Sequence, residues 1–428
     1  MSSSRSSPAD SGPNPPSGWL TRGVAAIGGA SFLDDVGQEV PTALLPAFLT
    51  STLGAPAAAL GAIEGIANGF SGVARLAGGA LADDPARRGK TAVGGYAATA
   101  VLTSVIGVTT AAWQVGVLRT AAWTTRGLRS PARDALLADV VPAEVYGRAY
   151  GFERALDNLG AIVGPLLALA LVALVGVRTA ILVSVIPGVL AALAMLAAVR
   201  VAPRLRERER QPFRIRIRPV VHGRLGRLLA GVSAFELGNV AATLLILRAT
   251  ELLTPARGHD SAVKVALLLY AAYNLTATLS SVPAGRATDR RGGVRVLVAG
   301  VVAFLVAYAG FAFAGAGLLP LVALFALAGV GIGLAETAQR AAVAALAPPD
   351  LRGSAFGALA AVQAFGNLAA SAVAGGLWTL VSPRAAFLYL AGWMVVSALA
   401  LAYSLPDSAG LEQIDEHGQS HSGGRSAR

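Results

Sequence analysis

The stretch GGALADDPARRGK, from Gly78 to Lys90, recurs in altered form as PAGRATDRRGGVR, from Pro283 to Arg295. Both copies stand at the end of a long apolar run, and both hold an aspartate four residues after a glycine. These pairs are Gly79 with Asp83 and Gly285 with Asp289, and the two aspartates lie 206 positions apart.

The same offset relates residues well beyond this stretch. Pro142, Gly147, Gly151 and Gly160 map by 206 positions onto Pro348, Gly353, Gly357 and Gly366. An offset that holds over several elements is the sequence signature of an internal repeat. We therefore predict two halves that share one architecture.

The composition is that of a membrane protein. Of the 428 residues, 54% are hydrophobic and 14% are charged, whereas soluble domains hold about 25% charged residues. Apolar stretches of roughly 20 residues, enough for a helix to cross about 30 Å of hydrocarbon, recur along the chain. About a dozen such spans are predicted, near 23–49, 56–81, 91–112, 114–138, 149–175, 178–200, 228–253, 264–288, 293–315, 319–347, 353–380 and 384–405.

A long polar interruption, from Arg200 to Arg227, divides the spans into two sets of six. We expect an all-α integral membrane protein with about 12 transmembrane helices in two pseudo-symmetric six-helix bundles. The predicted parts are a disordered cytoplasmic tail at 1–18, a first bundle at 19–200, a basic cytoplasmic linker at 201–227, a second bundle at 228–405 and a disordered cytoplasmic tail at 406–428. The linker is interpreted as a topological element, with binding of anionic lipid headgroups as the alternative.

The basic residues predict the orientation, because loops rich in lysine and arginine stay in the cytoplasm. Outside the linker they concentrate on alternate loops, at Arg87, Arg88, Lys90, Arg148, Arg286, Arg290, Arg291, Arg295 and Arg352. We therefore expect a multi-pass protein of the cell inner or plasma membrane with both termini in the cytoplasm.

Other classes of protein are disfavoured. The net charge of +11 is dispersed over one membrane face without the aromatic platform typical of nucleic-acid binding. The absence of cysteine excludes disulfides, thiolate metal ligands and cysteine catalysis. We expect no enzymatic activity, no cofactor and no nucleic-acid partner. The expected partners of a monomeric protein are a small-molecule substrate, protons and the lipid bilayer.

Two six-helix halves, a basic central segment and two Gly-x-x-x-Asp motifs followed by arginines resemble the major facilitator superfamily over about residues 20–405. The loop motif of that family reads roughly Gly-x-x-x-Asp-Arg-x-Gly-Arg-Arg/Lys. It is matched at Gly79, Asp83, Arg87 and Arg88, and again at Gly285, Asp289, Arg290 and Gly292, with a departure at Asp84 and Pro85. The resemblance implies a cytoplasmic gate whose contacts form in one transport conformation and break in the other. A purely topological anchor is the alternative.

Two further motifs carry the resemblance. The fifth span holds GAIVGP, with Gly160, Gly164 and Pro165, which is similar to a motif of proton-coupled antiporters in the superfamily. It implies export, with plain helix packing as the alternative. Arg119 resembles the membrane arginine of the fourth helix, although Trp123 replaces the glycine that usually follows. The segment from Thr125 to Pro165 looks like a bacterial branch of mostly uncharacterised or efflux-type members, some linked to iron or siderophore handling.

Ionisable residues within spans are expensive and mark candidate sites. Span one holds three acids, of which Asp35 and Glu39 share a helical face while Asp34 points elsewhere. A buried acid whose arginine partner moves can bind and release a proton. The predicted proton-coupling residues are Asp34, Asp35, Glu39, Glu64, Arg119 and Arg126. A fixed salt bridge between spans one and four is the alternative.

Two further sets of residues are predicted. Arg133, Asp134, Glu153 and Asp157 join the motif residues in a cytoplasmic gate, with ordinary interfacial charge pairing as the alternative. The predicted substrate-cavity residues of the second half are Glu236, Asn239, Asn274, Glu336, Gln339, Gln363 and Asn367. In a membrane such amides serve equally well to join helices.

The function predicted from these features is secondary active transport, with proton-coupled export of a small organic solute by alternating access. Transport of a divalent metal such as iron, or of its chelate, is the first alternative, because the span-one carboxylates are suitable hard ligands. Whether the chain holds a metal site is left open. A transporter-like sensor or assembly factor that moves nothing is the second alternative.

Overall fold

The computed structural model describes residues 18–202 and 213–404, and within these ranges the regular structure is helical, as predicted. The α-helices are α1 (Arg22–Ala47), α2 (Ala57–Ala82), α3 (Pro85–Val105), α4 (Ala112–Asp139), α5 (Tyr146–Val183), α6 (Val185–Val201), α7 (Gly223–Gly238), α8 (Ala242–Arg257), α9 (His259–Arg291), α10 (Gly293–Phe313), α11 (Leu318–Leu346), α12 (Arg352–Leu380) and α13 (Pro383–Tyr403). Nearly all of the two predicted tails and part of the predicted linker lie outside the described residues.

The helices supply twelve membrane passes. Eight helical stretches of the described chain are long and apolar enough to cross a membrane. One of them, Ala143–Val201, is 59 residues long and bends at Gly176, where φ is +75°, so it makes two passes. Helices α1, α2 and α4 are 26 to 28 residues long, which also suffices at about 1.5 Å per residue, although polar side chains lower their hydropathy.

Helix α3 begins six residues before the predicted start of span three because of a capping signal. The Asp84 carboxylate accepts a hydrogen bond from the Ala86 backbone N–H at 2.9 Å, and Pro85 occupies the first helical position. Aspartate at the N-cap followed by proline is a favourable helix start. The departure from the family motif at these two positions is therefore a helix cap.

Span seven, predicted as one helix, is broken between α7 and α8. The Ala241 backbone N–H donates to Ser371 Oγ at 3.1 Å, and the Asn239 carbonyl accepts from Asn367 Nδ2 at 2.8 Å. Irregular backbone within a membrane is tolerated where protein groups satisfy it. Side chains of α12 therefore stabilise the break, and Asn239 itself lies in the non-helical segment.

The two halves meet through reciprocal helix pairs. Helix α2 of the first half packs on α12 of the second, and α9 of the second half packs on α5 of the first. In the duplication α2 corresponds to α9 and α5 to α12, so the two contacts are equivalent. We call the end of the bundle that carries Asp83 and Asp289 the motif end.

Glycines allow the close approach at the motif end. A Cβ on Gly147 would lie 2.2 Å from the Gly285 carbonyl oxygen, and one on Gly79 would lie 2.7 Å from the Gly353 oxygen. Both distances are shorter than a side-chain atom tolerates, so only glycine fits at these positions. The repeat glycines are therefore the residues at which the halves touch.

The interiors of the two halves differ. The second half contains an aromatic cluster in which Phe304, Tyr308, Phe311, Phe325 and Phe387 pack with ring centroids 5.3 to 6.1 Å apart. The first half instead buries arginines, since Arg88, Arg119 and Arg129 are among its largest fully buried side chains. The charged chemistry is therefore concentrated in the first half.

Candidate functional site

A polar cavity of about 500 Å³, the central cavity, lies between the two halves. Helices α1, α2, α4 and α5 line it from the first half, and α7, α11 and α12 line it from the second. Its charged lining residues are Asp34, Arg75, Arg126, Arg129, Arg133, Asp134, Arg154, Asp157, Glu236, Glu336 and Arg340. A cavity shared by two repeats is where secondary transporters bind their substrates.

The acids of α1 contact arginines of α4. Asp35 forms an ion pair with Arg126 at 3.1 Å, and Asp34 pairs with Arg129 and accepts a hydrogen bond from Gln38. The Asp35 carboxylate is 8% exposed, whereas the Arg126 side chain is 31% exposed and lines the central cavity. A ligand in the cavity can therefore reach Arg126 while Asp35 stays covered.

Arg119 contacts the acid of α2 among the predicted coupling residues. Its guanidinium pairs with Glu64 at 2.9 Å and donates to Thr42 Oγ1 at 3.2 Å. The Glu39 carboxylate forms no ion pair within the described residues. Of the four predicted acids, Asp35 and Glu64 thus pair with the predicted arginines, and Asp34 pairs with Arg129.

Trp123 lies beside Arg119 and Arg126, the two arginines predicted to take part in proton coupling. Its ring lies 3.5 Å from the Arg119 guanidinium carbon and 5.5 Å from that of Arg126, measured to the ring centroid. The indole N–H donates to Asn68 Oδ1 at 3.1 Å. A ring face attracts cations, so Trp123 stabilises two nearby like charges, which the glycine of the family motif could not do.

The glycines of the fifth-span motif pack on the acid pair of α1. A Cβ on Gly160 would lie 2.8 Å from the Asp35 Cβ, and one on Gly164 would lie 2.4 Å from the Glu39 Cβ. The motif therefore holds α5 against the helix that carries both acids. Pro165 follows inside the same helix.

A network of ion pairs forms the floor of the central cavity. Arg133 pairs with Asp134 and with Glu153, each at 2.9 Å, while Arg154 pairs with Asp157 at 2.8 Å. The Glu153 side chain is fully buried and also accepts a hydrogen bond from Ser31. The four charged residues predicted for the gate thus lie in one cluster.

Two ion pairs of this network join the halves. Arg154 of α5 pairs with Glu336 of α11 at 3.2 Å, and Asp134 of α4 pairs with Arg340 of α11 at 3.6 Å. Asp134 and Arg340 are 206 positions apart in the duplication. They therefore face each other across the axis that relates the halves.

The motif aspartates bind the first turns of helices in the opposite half. Asp289 accepts hydrogen bonds from the backbone N–H groups of Gly147 at 2.6 Å and Arg148 at 3.2 Å, and from Arg148 Nε at 2.7 Å. Asp83 accepts from the Ser354 backbone N–H at 2.8 Å and from its hydroxyl group. Helix N-termini attract negative charge because their first N–H groups lack partners.

Asp83 lies beyond the last residue of α2, outside the membrane-spanning helix. Burial raises the pKa of its carboxyl group above the ordinary value, and the hydrogen bonds from Ser354 oppose that shift. The same contact between halves is reinforced by Arg352, which pairs with Asp139 at 3.3 Å and donates to the Tyr146 hydroxyl at 2.9 Å. Arg88 also pairs with Asp139.

Three predicted site residues lie apart from these contacts. Arg87 is half exposed and pairs with Asp84 of its own turn at 3.2 Å, and Arg290 is exposed at the end of α9. Asn274 donates to the Tyr270 carbonyl oxygen of its own helix at 3.1 Å and does not line the central cavity. Among the residues that the structure describes, none of these three makes a polar contact between the halves.

The remaining polar residues predicted for the second half form a connected chain. Gln363 donates to Gln339 at 2.9 Å, Gln339 donates to Glu236 at 3.5 Å, and Asn239 donates to Glu236 at 2.9 Å. Asn367 completes the group through the Asn239 carbonyl oxygen. These amides surround one carboxylate, and Glu336 belongs to the ionic floor instead.

Sequence reasoning missed several residues that the structure brings to the site, namely Arg75, Asp139, Tyr146, Arg352 and Ser354. The duplication itself held the signal, because residues near the axis contact their own equivalents. Tyr146 and Arg352 are 206 positions apart, as are Asp134 and Arg340. Applying the offset to the predicted gate residue Asp134 would have named Arg340 as its partner.

Two of the three span-one carboxylates are occupied by cations of the chain itself, since Asp34 and Asp35 each pair with an arginine. Across the described ranges, no group of three or more histidine, cysteine, aspartate or glutamate side chains is arranged to hold a metal ion. The geometry thus gives the direct metal-ligand hypothesis no support.

Two six-helix halves that meet around a polar cavity define a secondary transporter. The chain belongs to the Major Facilitator Superfamily, whose family model matches residues 27–252 and 228–423. It is therefore a multi-pass membrane transporter.

The chain is similar to other proteins over nearly its full length. An uncharacterised MFS-type transporter of Methanocaldococcus jannaschii is 28% identical over 387 residues, which cover 90% of this chain and 95% of that protein. A bacterial homologue of the iron transporter ferroportin in its outward-facing state matches with a TM-score of 0.73 and 14% identity, covering 90% of this chain and 99% of that one. The transporter FucP in its outward conformation matches with a TM-score of 0.69 and 14% identity, covering 91% and 100%.

Proposed function

We propose that this protein is a proton-coupled antiporter that exports a small organic solute across the cell inner or plasma membrane by alternating access. The basic loops favour a cytoplasmic location for the motif end and for both termini. The hydrogen bonds and ion pairs that join the halves within the described residues lie on the motif-end side of the helices. The conformation then corresponds to an outward-facing state with its cytoplasmic side closed.

The observation that carries the proposal is the Asp35–Arg126 ion pair. A covered carboxylate pairs with an arginine that is partly open to the central cavity. Protonation of Asp35 removes its charge and frees Arg126, and withdrawal of Arg126 in turn favours protonation of Asp35. Reorganisation of the cavity therefore changes the affinity for a proton.

Glu39 and the Arg119–Glu64 pair extend this site. The Glu39 side chain packs against Gly164 one helical turn from Asp35, so a proton can be shared between neighbouring acids. Arg119 and Glu64 form a second arginine–carboxylate pair on the adjoining helices α4 and α2. The motif contacts at Asp83 and Asp289 act as the cytoplasmic gate, because they join the halves and have to break when that side opens.

The test is proton and solute flux in vesicles that contain the purified full-length protein under an imposed pH gradient. Addition of a transported solute should release protons in exchange. The double variant Asp35→Asn with Glu39→Gln should lose proton-driven net transport while solute exchange without a gradient remains, because both sites mimic the protonated state.

The control is Glu144→Gln, which removes an exposed carboxylate in the short turn that precedes α5. Retained solute-dependent proton flux in the double variant would remove Asp35 and Glu39 from the coupling role. Transport that is insensitive to the pH gradient in the unmodified protein would overturn the antiport mechanism itself.

A further inference from the structure

The charged residues that line the central cavity each form an ion pair, with two exceptions. Asp34 pairs with Arg129, Arg126 with Asp35, Arg133 with Asp134, Arg154 with Asp157 and Arg340 with Glu336. Within the described part of the chain, Arg75 and Glu236 are the cavity residues that have no oppositely charged partner within 4.0 Å. One is a cation and the other an acid, and they lie on different halves.

Arg75 projects from α2 of the first half. Its Nη1 donates to the Ala360 carbonyl oxygen of α12 at 2.7 Å, and its buried Nε has no hydrogen-bond partner. A guanidinium group offers five N–H donors in a planar fork that fits a carboxylate. One carbonyl therefore leaves most of the binding capacity of Arg75 unused.

Glu236 projects from α7 of the second half and is 3% exposed. Its two carboxylate oxygens accept hydrogen bonds from Asn239 at 2.9 Å and from Gln339 at 3.5 Å. Both donors are neutral amides, so no cation balances a charge on this buried group. Buried charges without partners are costly and mark functional sites in membrane proteins.

We infer that the central cavity binds a zwitterionic solute, whose carboxylate pairs with Arg75 and whose ammonium group pairs with Glu236. A molecule with one group of each sign is the ligand that satisfies both side chains without adding net charge to the cavity. It also spans the two halves, so its binding is sensitive to their relative position. This inference rests on the proposed transport function and names its substrate class.

The probes are amino acids compared with analogues that lack one charge. The series contains glycine, β-alanine, γ-aminobutyrate and longer ω-amino acids, because the ladder of chain lengths covers different separations of the two groups. Phenylalanine is included as a bulkier zwitterion. Each is paired with the carboxylate lacking the amine and with the amine lacking the carboxylate.

Binding is measured as the dose-dependent rise in unfolding temperature of the purified full-length protein at constant pH, which gives an apparent Kd. At least one zwitterion should bind about tenfold or more tightly than both of its analogues, as expected when a charge-assisted contact is lost. In the Arg75→Gln variant, the zwitterion should bind no more tightly than the amine analogue that lacks the carboxylate. In the Glu236→Gln variant, it should bind no more tightly than the carboxylate analogue that lacks the amine.

The controls are Arg178→Gln and Glu251→Gln. Arg178 donates to the carbonyl oxygens of Gly107 and Thr109, and Glu251 accepts from Trp378, and neither residue lines the cavity. If every zwitterion binds no better than its analogues, the inference is wrong, and that comparison requires only the unmodified protein. Equal effects of the cavity and control variants would likewise overturn it. Because no proton gradient is used, failure of the antiport mechanism would leave this result unchanged.

Discussion

At the scale of single residues, the motif aspartates act through helix N-termini. Asp289 accepts two backbone N–H groups of α5 together with Arg148 Nε. An asparagine side chain keeps one carbonyl oxygen, but its amide group faces donors and its negative charge is gone. The contact is therefore weakened, while the close packing of Gly285 on Gly147 remains.

We expect Asp289→Asn to impair turnover and to shift the protein away from the state with a closed motif end. The chain contains no cysteine, so the thiol introduced by Ser130→Cys at a cavity position is the only one available. Its labelling by a membrane-impermeant reagent from the motif end should become faster in the aspartate variant. Unchanged labelling and transport at normal expression would reduce the motif to an anchor.

Gly164 gives a second prediction at this scale. Gly164→Ala places a methyl group against Glu39, and overpacking of this kind costs about 1–3 kcal/mol. We expect lower thermal stability and a reduced ratio of proton flux to solute flux, because Glu39 is displaced. Gly94→Ala is the control, since a Cβ there meets no atom within 4 Å. Equal effects of the two variants would contradict the packing role.

At the scale of elements, apolar length and the repeat predicted the helices well, whereas breaks within a span were not predictable. The bend at Gly176 coincides with the predicted boundary of spans five and six. The break between α7 and α8 depends on Ser371 and Asn367, more than a hundred positions away. Such a break has no local signal, because the stabilising groups come from another helix.

Ser371→Ala tests that account of the break. The variant leaves the Ala241 backbone N–H without its acceptor, which costs about 1–3 kcal/mol for a buried group. We expect a lower unfolding temperature in detergent. Thr379→Ala on the same helix is the control, because its exposed hydroxyl donates to a carbonyl oxygen of its own helix. A Ser371 variant as stable as this control would mean that water or another group satisfies the N–H.

The candidate site was predictable in its residue types and less so in its pairs. Intramembrane charge identified Asp34, Asp35, Arg126 and Glu236 from sequence. The sequence did not specify the individual contacts: Arg119 reaches Glu64, and Asn274 turns to its own backbone. Which acid meets which arginine depends on helix rotation and depth, and a single sequence fixes neither to within a turn.

At the scale of the whole molecule, orientation sets what each contact does. We expect the motif end and the linker to face the cytoplasm, because the basic loops lie there. The thiol introduced by Ile215→Cys, a linker position, should then react in inside-out vesicles and stay protected in right-side-out ones. Labelling from outside the cell would invert the topology and make the conformation inward-facing.

The duplication leads to the last prediction. The contact of Asp83 with α12 and the contact of Asp289 with α5 are equivalent and share no partner. Their effects on the balance between outward-facing and inward-facing states should therefore be independent. If each contact contributes about 1–3 kcal/mol, each single variant to asparagine shifts that balance by roughly tenfold to a hundredfold. The double variant Asp83→Asn with Asp289→Asn should shift it by the product of the two factors. The balance is measured as the ratio of the rates at which the Ser130→Cys thiol is labelled from the two sides of the membrane. The control is Arg87→Gln, which removes an exposed cation outside the contacts between halves. If one single variant left the balance unchanged and the double variant matched the other, one contact alone would hold the motif end closed, and the two halves would be unequal in function despite their common architecture.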